Sequence, residues 1–175
     1  MDGNCTGKGS SNTVTNLLAS YKKQAWPKTI KELWLLVQVF GLLTALRLLL
    51  PHVQIQTLLR WLALSRIPPV ADPDRLETVR RYTEALLWRI PFPSPGKCLP
   101  RSLTLYYFAT RYGFPVQVHC GVRRMGERLQ GHAWLSLYGR PFLEEDNPGH
   151  SYAVIFSFPS PERAGAVAGP PAINS

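Results

Sequence analysis

The chain has 175 residues, 45% of them apolar, and a formal net charge of +9, with a pI of about 9.8. That is enough for one domain with a real core, and the excess of cations suits an anionic partner: nucleic acid, a membrane surface or an acidic peptide. The basic residues are scattered, with no dense Lys/Arg block and no aromatic-interleaved RNA motif, so nucleic-acid binding is not expected. Three cysteines, an odd number, make no disulfide framework and suit a reduced, intracellular protein. No CxxC, HxxxH or HExxH spacing occurs, so no metal and no other cofactor is expected. Residues 1–20 are polar and do not read as a secretory signal, so the expected location is the cytoplasm.

Residues 1–27 read as a flexible N-terminal segment, 28–158 as a single domain and 159–175, rich in Pro, Gly and Ala, as a disordered tail. A helix is expected from Thr29 to Leu50, stopped by Pro51. Its apolar run is interrupted by Gln38 and Arg47, which argues for a core helix over a membrane span. The alternatives are a partner-binding helix, or peripheral contact of Leu33 to Leu50 with the inner face of the membrane. A second helix is expected over His52 to Leu64, ended by Arg66-Ile67-Pro68-Pro69. Asp72 or Asp74 would cap a third, from Arg75 to Trp88. The loop from Ile90 to Gly96 then leads to Cys98, where a fourth helix begins. Leu99, Leu103, Tyr106, Tyr107 and Thr110 follow at helical spacing up to Gly113.

After Gly113 the period changes to two. Val116, Val118, Cys120 and Val122 alternate with Gln117, His119 and Gly121 in a strand. Arg123 to Gly131 reads as a polar turn, and His132 to Leu137 as the next strand, with His132, Trp134 and Ser136 on one face. A third strand is expected from Phe142 to Glu145 and a fourth from Tyr152 to Phe158. Helices first, then a small antiparallel sheet packed on the cysteine helix, make an α+β fold with apolar N-terminal helices.

Cys98, His132 and the acids Glu144, Glu145 and Asp146 form a candidate nucleophile, base and orienting group. A thiol at a helix N-terminus meets the positive end of the helix dipole, which favours the thiolate. The backbone N–H of Cys98 is an expected oxyanion donor. The acid depends on the last hairpin. A two-residue turn at Gly139-Arg140 would pair Ser136 with Leu143 and put Glu145 and Asn147 on the face of His132. A three-residue loop from Tyr138 to Arg140 would put Glu144 and Asp146 there instead. Other residues take plainer readings. Cys120 is read as core and Cys5 as incidental. His119 and His150 are expected at the surface or in turns, Arg101 toward solvent or on a carboxylate, and Trp134 as packing beside His132.

The runs Cys98-Leu99-Pro100-Arg101-Ser102-Leu103, Gly113-Phe114-Pro115-Val116, Gly121-Val122-Arg123-Arg124 and His132-Ala133-Trp134-Leu135 closely resemble the lasso-peptide maturation protease. The likeness extends over roughly Lys28 to Phe158. It implies a transglutaminase- or papain-like core and a cysteine peptidase that removes the leader from a ribosomally made precursor. It further implies Cys98 as nucleophile, His132 as base and Glu144 as the acid. Members commonly carry an acid where this chain has Ser136. The implied partners are the leader of the precursor, a separate winged-helix leader-recognition protein and an asparagine-synthetase-like cyclase. Acyl transfer to an amine, as in a transglutaminase, and a non-catalytic interaction subunit are the alternatives.

Overall fold

The computed structural model describes residue 27 and residues 29–63, 71–92, 96–144 and 148–159. The expected N-terminal segment and C-terminal tail, Cys5, Glu145 and Asp146 lie outside the described residues, apart from Pro27 and Pro159 at the inner ends of those two segments.

Helix α1 spans Ile30–Leu49. The Thr29 hydroxyl accepts from the backbone N–H of Glu32 at 3.2 Å, closing the first turn. Its buried residues are Val39, Leu43 and Leu46. Trp34, Val37, Phe40 and Leu48 are exposed. The helix therefore belongs to the core along one stripe only, which corrects the expectation of a core helix. By length and composition it is apolar enough to cross a membrane, and only 17% of its apolar window is buried.

Helix α2 is Ile55–Leu62, shorter than expected, and buries Leu58, Leu59 and Leu62. Helix α3 is Pro73–Leu87, with Asp72 as its cap: its carboxylate accepts from the Arg75 N–H at 3.1 Å. Pro73 takes the first helical position, where a missing N–H costs nothing. Helix α4 is Cys98–Arg111, with Pro100 in its first turn. Its far end closes where Gly113 turns to φ 83 and the Phe114 N–H reaches back to the Ala109 carbonyl at 2.9 Å.

The sheet contains β1 (Val116–Met125), β2 (Arg128–Leu137), β3 (Arg140–Phe142) and β4 (Ala153–Phe158). Its order is β3-β2-β1-β4, antiparallel throughout. Val116, Val118 and Leu135 pack with Leu103, Leu105 and Phe108 of α4 in one core that also takes in Leu43, Leu76 and Val79. The α+β expectation holds.

Two expectations are corrected. The segment from Arg123 to Gly131 is mostly ladder: β1 and β2 pair out to Met125 and Arg128, and the chain reverses at Gly126-Glu127. This outer half of the hairpin is largely exposed, so no apolar alternation marks it. The last hairpin adopts neither expected register. Leu137 pairs with Arg140 and Ser136 with Pro141 across a two-residue turn, with Tyr138 at φ 51 and Gly139 at φ 76. Two successive positive φ angles suit the right-handed twist of a tight hairpin. Strand β3 ends at Phe142. Leu143, at φ 58, then leaves the strand, so alternation no longer decides where Glu144 points.

Candidate active site

Cys98 is the first residue of α4, half-buried and free. The helix starts here without a side-chain cap on its N-terminus, and Pro100 brings no N–H to the first turn. The N–H groups of the first turn have no partner within the helix. Ser102, one turn on, donates to the Ala133 carbonyl of β2 at 2.9 Å. That bond fixes the start of α4 against the strand that carries His132.

His132 pairs across the sheet with Gly121. Its ring stacks on Trp134, with centroids 6.0 Å apart and planes at 15°, and meets Tyr152 at 5.2 Å. Gly121 makes this possible. A Cβ there would lie 2.9 Å from Trp134 Cη2 and 2.9 Å from the Ala153 carbonyl oxygen. Burial holds His132 below its ordinary pKa, and the Arg101 and Arg123 guanidiniums push in the same direction. The imidazole is thus kept in its base form near neutral pH.

Glu144 is half-buried and held from two sides. Arg101 Nη1 donates to Oε1 at 2.8 Å, and the backbone N–H of Leu135 donates to the carboxylate. Burial raises its pKa, against the opposing pull of Arg101. Arg101 also donates to the Leu143 carbonyl at 2.7 Å and meets Glu84 of α3 at 3.4 Å. Of the two readings of Arg101, the solvent-facing one is corrected and the carboxylate one holds: it is the residue that clamps Glu144.

Cys98, His132 and Glu144 all border one cleft of about 480 Å³, together with Arg101, Arg123 and Tyr152. Among the described residues the imidazole of His132 has no hydrogen-bond partner, and the ion pair of Glu144 is with Arg101. Cys120 is half-buried, not fully core as expected. Burial pushes its thiol up to about 11, with Cys98 adding to the effect. His119 is likewise no surface residue. It is half-buried between Ser157 and Ser136, each hydroxyl 2.7 Å from a ring nitrogen, and stacks on Trp134, its cross-strand partner, with centroids 5.6 Å apart. His150 falls in the short turn Pro148–His150. No group of three His, Cys, Asp or Glu residues that could hold a metal ion occurs among the described residues. The roles of Arg101, Arg123 and Tyr152 were not readable from local pattern, because each depends on contacts between distant segments.

A family profile described as the transglutaminase-like superfamily matches residues 41–157, well over half the chain. The protein belongs to the transglutaminase-like superfamily. This superfamily includes cysteine peptidases and acyltransferases, and the match runs across the cysteine helix and the whole sheet. No curated protein and no solved structure matches the chain. For a transglutaminase-like protein, a half-buried thiol at a helix start and a histidine in base form on one cleft are the parts that thiol acyl chemistry requires.

Proposed function

We propose that this protein is a cysteine peptidase that removes the leader from a ribosomally made lasso-peptide precursor. The observation that carries the reading is the cleft shared by Cys98, His132 and Glu144. The Cys98–Leu103 and His132–Leu135 motifs point it toward this family within the transglutaminase-like superfamily.

In this mechanism His132 takes the thiol proton and the Cys98 sulfur attacks the carbonyl at the leader–core junction. The Cys98 N–H donates to the oxyanion. The imidazolium then gives its proton to the leaving core amine, and a thioester to the leader remains. His132 next draws a proton from water, which attacks the thioester and frees the leader acid and the thiol. Glu144, the acid that the resemblance implies, acts in this reading through Arg101: its carboxylate offsets part of the positive charge that Arg101 holds near the imidazole. A separate winged-helix leader-recognition protein would deliver the leader at high effective concentration, and an asparagine-synthetase-like cyclase would take the freed amine.

The test is intact mass of the cognate precursor incubated with the leader-recognition protein and wild type, Cys98→Ala or His132→Ala. A leader released by wild type alone, cut at one bond, supports the peptidase. Uncut precursor with folded protein and bound partner removes it. The superfamily's acyltransferases favour one second reading, in which Cys98 attacks a glutamine side-chain amide, ammonia leaves, and an amine of the same peptide takes the acyl group from the thioester in place of water. An intact backbone with the mass loss of ammonia would identify that reaction.

A further inference from the structure

Three arginines border the cleft. Arg80 pairs with Glu77 and Glu84, and Arg101 with Glu144 and Glu84. Among the described residues Arg123 has no acidic partner. It is nevertheless held in place. Its Nε donates to Gln130 Oε1 at 2.8 Å, and its guanidinium lies over the Tyr152 ring, 4.7 Å from the centroid. The side chain is half-buried. A guanidinium already ordered by an amide and a ring gives up little entropy when a ligand arrives. Its terminal N–H groups form a fork that fits a carboxylate.

Its position relative to the chemistry is set by the ladder. Gly121 pairs with His132 and Arg123 with Gln130, so His132 and Arg123 share a face as diagonal neighbours, about 7–8 Å apart in such sheets. Tyr152 lies between them, 5.2 Å from the imidazole and 4.7 Å from the guanidinium. In the reaction proposed above, His132 protonates the leaving amine. The peptide that departs with that amine therefore passes His132, and Tyr152 and Arg123 stand next along the wall.

We propose that Arg123 receives a carboxylate on the leaving-amine side of the substrate, so that an acidic side chain shortly after the cut bond is a specificity element. This deepens the peptidase reading and rests on it for the side of the bond assigned. A bound carboxylate also offsets the positive charge that Arg123 holds near the imidazole, so His132 would keep its proton more readily for the amine.

The test reads alkylation of Cys98, so it does not depend on any peptide being cut. N-iodoacetyl derivatives of straight-chain amino acids of increasing length are each compared with their own amides, at low ionic strength. Labelling of Cys98 is followed by peptide mass. The amide rate normalises for any change at the thiol itself. Wild type should favour the carboxylate probe about tenfold at one chain length, the size expected for a charge-assisted hydrogen bond. Arg123→Gln should lose that advantage, Arg123→Lys should keep part of it, and Arg123→Glu should favour the matching ammonium probe. Equal rates for carboxylate and amide at every length in wild type would overturn the proposal. So would an advantage that survives unchanged in Arg123→Gln. The failure of the peptidase reading would show separately, as uncut precursor beside a normal carboxylate preference.

Discussion

His119 and His132 contact the same indole, that of Trp134, and burial is the leading cause that holds both below the ordinary 6.5. The sign of their effect on stability follows. Near 6.5 the unfolded chain binds these two protons while the folded chain resists them, so the unfolded state holds more protons in that window. Their contribution is fully present above 6.5 and is lost as the pH falls from there through the folded values. Glu144 acts with the opposite sign from 4.5 upward: raised by burial, it contributes most below 4.5 and less as the pH climbs through its folded value. A single substitution separates the two. The urea midpoint of wild type should fall between about pH 7.5 and 5.5, and His119→Gln should fall less. Parallel slopes in the two proteins would remove His119 from this account. The hydrogen bonds of His119 to Ser157 and Ser136 were invisible in the sequence. They bring together residues from three strands, and no local spacing encodes that.

The division of α1 into two faces sets its own expectation. Val39, Leu43 and Leu46 are buried against the other helices, while Trp34 is 64% exposed. Leu43→Ala should cost about 2–5 kcal/mol by lost transfer and a residual cavity. Trp34→Ala should stay within about 0.5 kcal/mol. Urea unfolding of both variants checks the pair, and equal losses would mean that the outer face also packs. The sequence carried the helix itself plainly, through Thr29, the apolar run and Pro51. It did not carry the split, because the run is apolar on every side and the period that marks an amphipathic helix is absent. The same reasoning explains the sheet. Val116 to Val122 alternates and was legible, whereas Arg123 to Gly131 extends the ladder into solvent with polar residues on both faces. The register of the last hairpin turned on Tyr138, a non-glycine residue at φ 51 that turn chemistry would not favour there. Cys98 was legible because it leads α4, and His132 because it opens the half of β2 that packs on the core; the clamp on Glu144 was not, because it depends on Leu143 leaving the strand.

Across the whole molecule, Arg101 is where the helical layer and the sheet are joined at the cleft. From α4 it reaches Glu84 on α3, and both Leu143 and Glu144 on the chain beyond β3. Glu84 in turn pairs with Arg80, which also binds Glu77. The side chains of Arg101 and Glu144 are 20% and 11% exposed, so the pair is largely out of water. Such a pair adds little over an apolar replacement of both members, but removal of one leaves a buried charge unanswered. Arg101→Met alone should therefore cost about 3 kcal/mol near neutral pH, and Glu144→Gln should cost less. Combined, the two changes should cost less than their sum, with a coupling of about 1–3 kcal/mol. The pH dependence adds a second constraint. Without Arg101 nothing opposes the burial of Glu144 from that side, so its folded pKa rises further above 4.5. The loss in Arg101→Met should then grow as the pH rises through that value and shrink in acid, where the carboxyl is protonated in both states. Denaturant unfolding of wild type, both single variants and the double variant at two pH values measures both effects. A coupling near zero, or an Arg101→Met loss that ignores pH, would mean that the cleft holds its shape through α4 and the sheet alone.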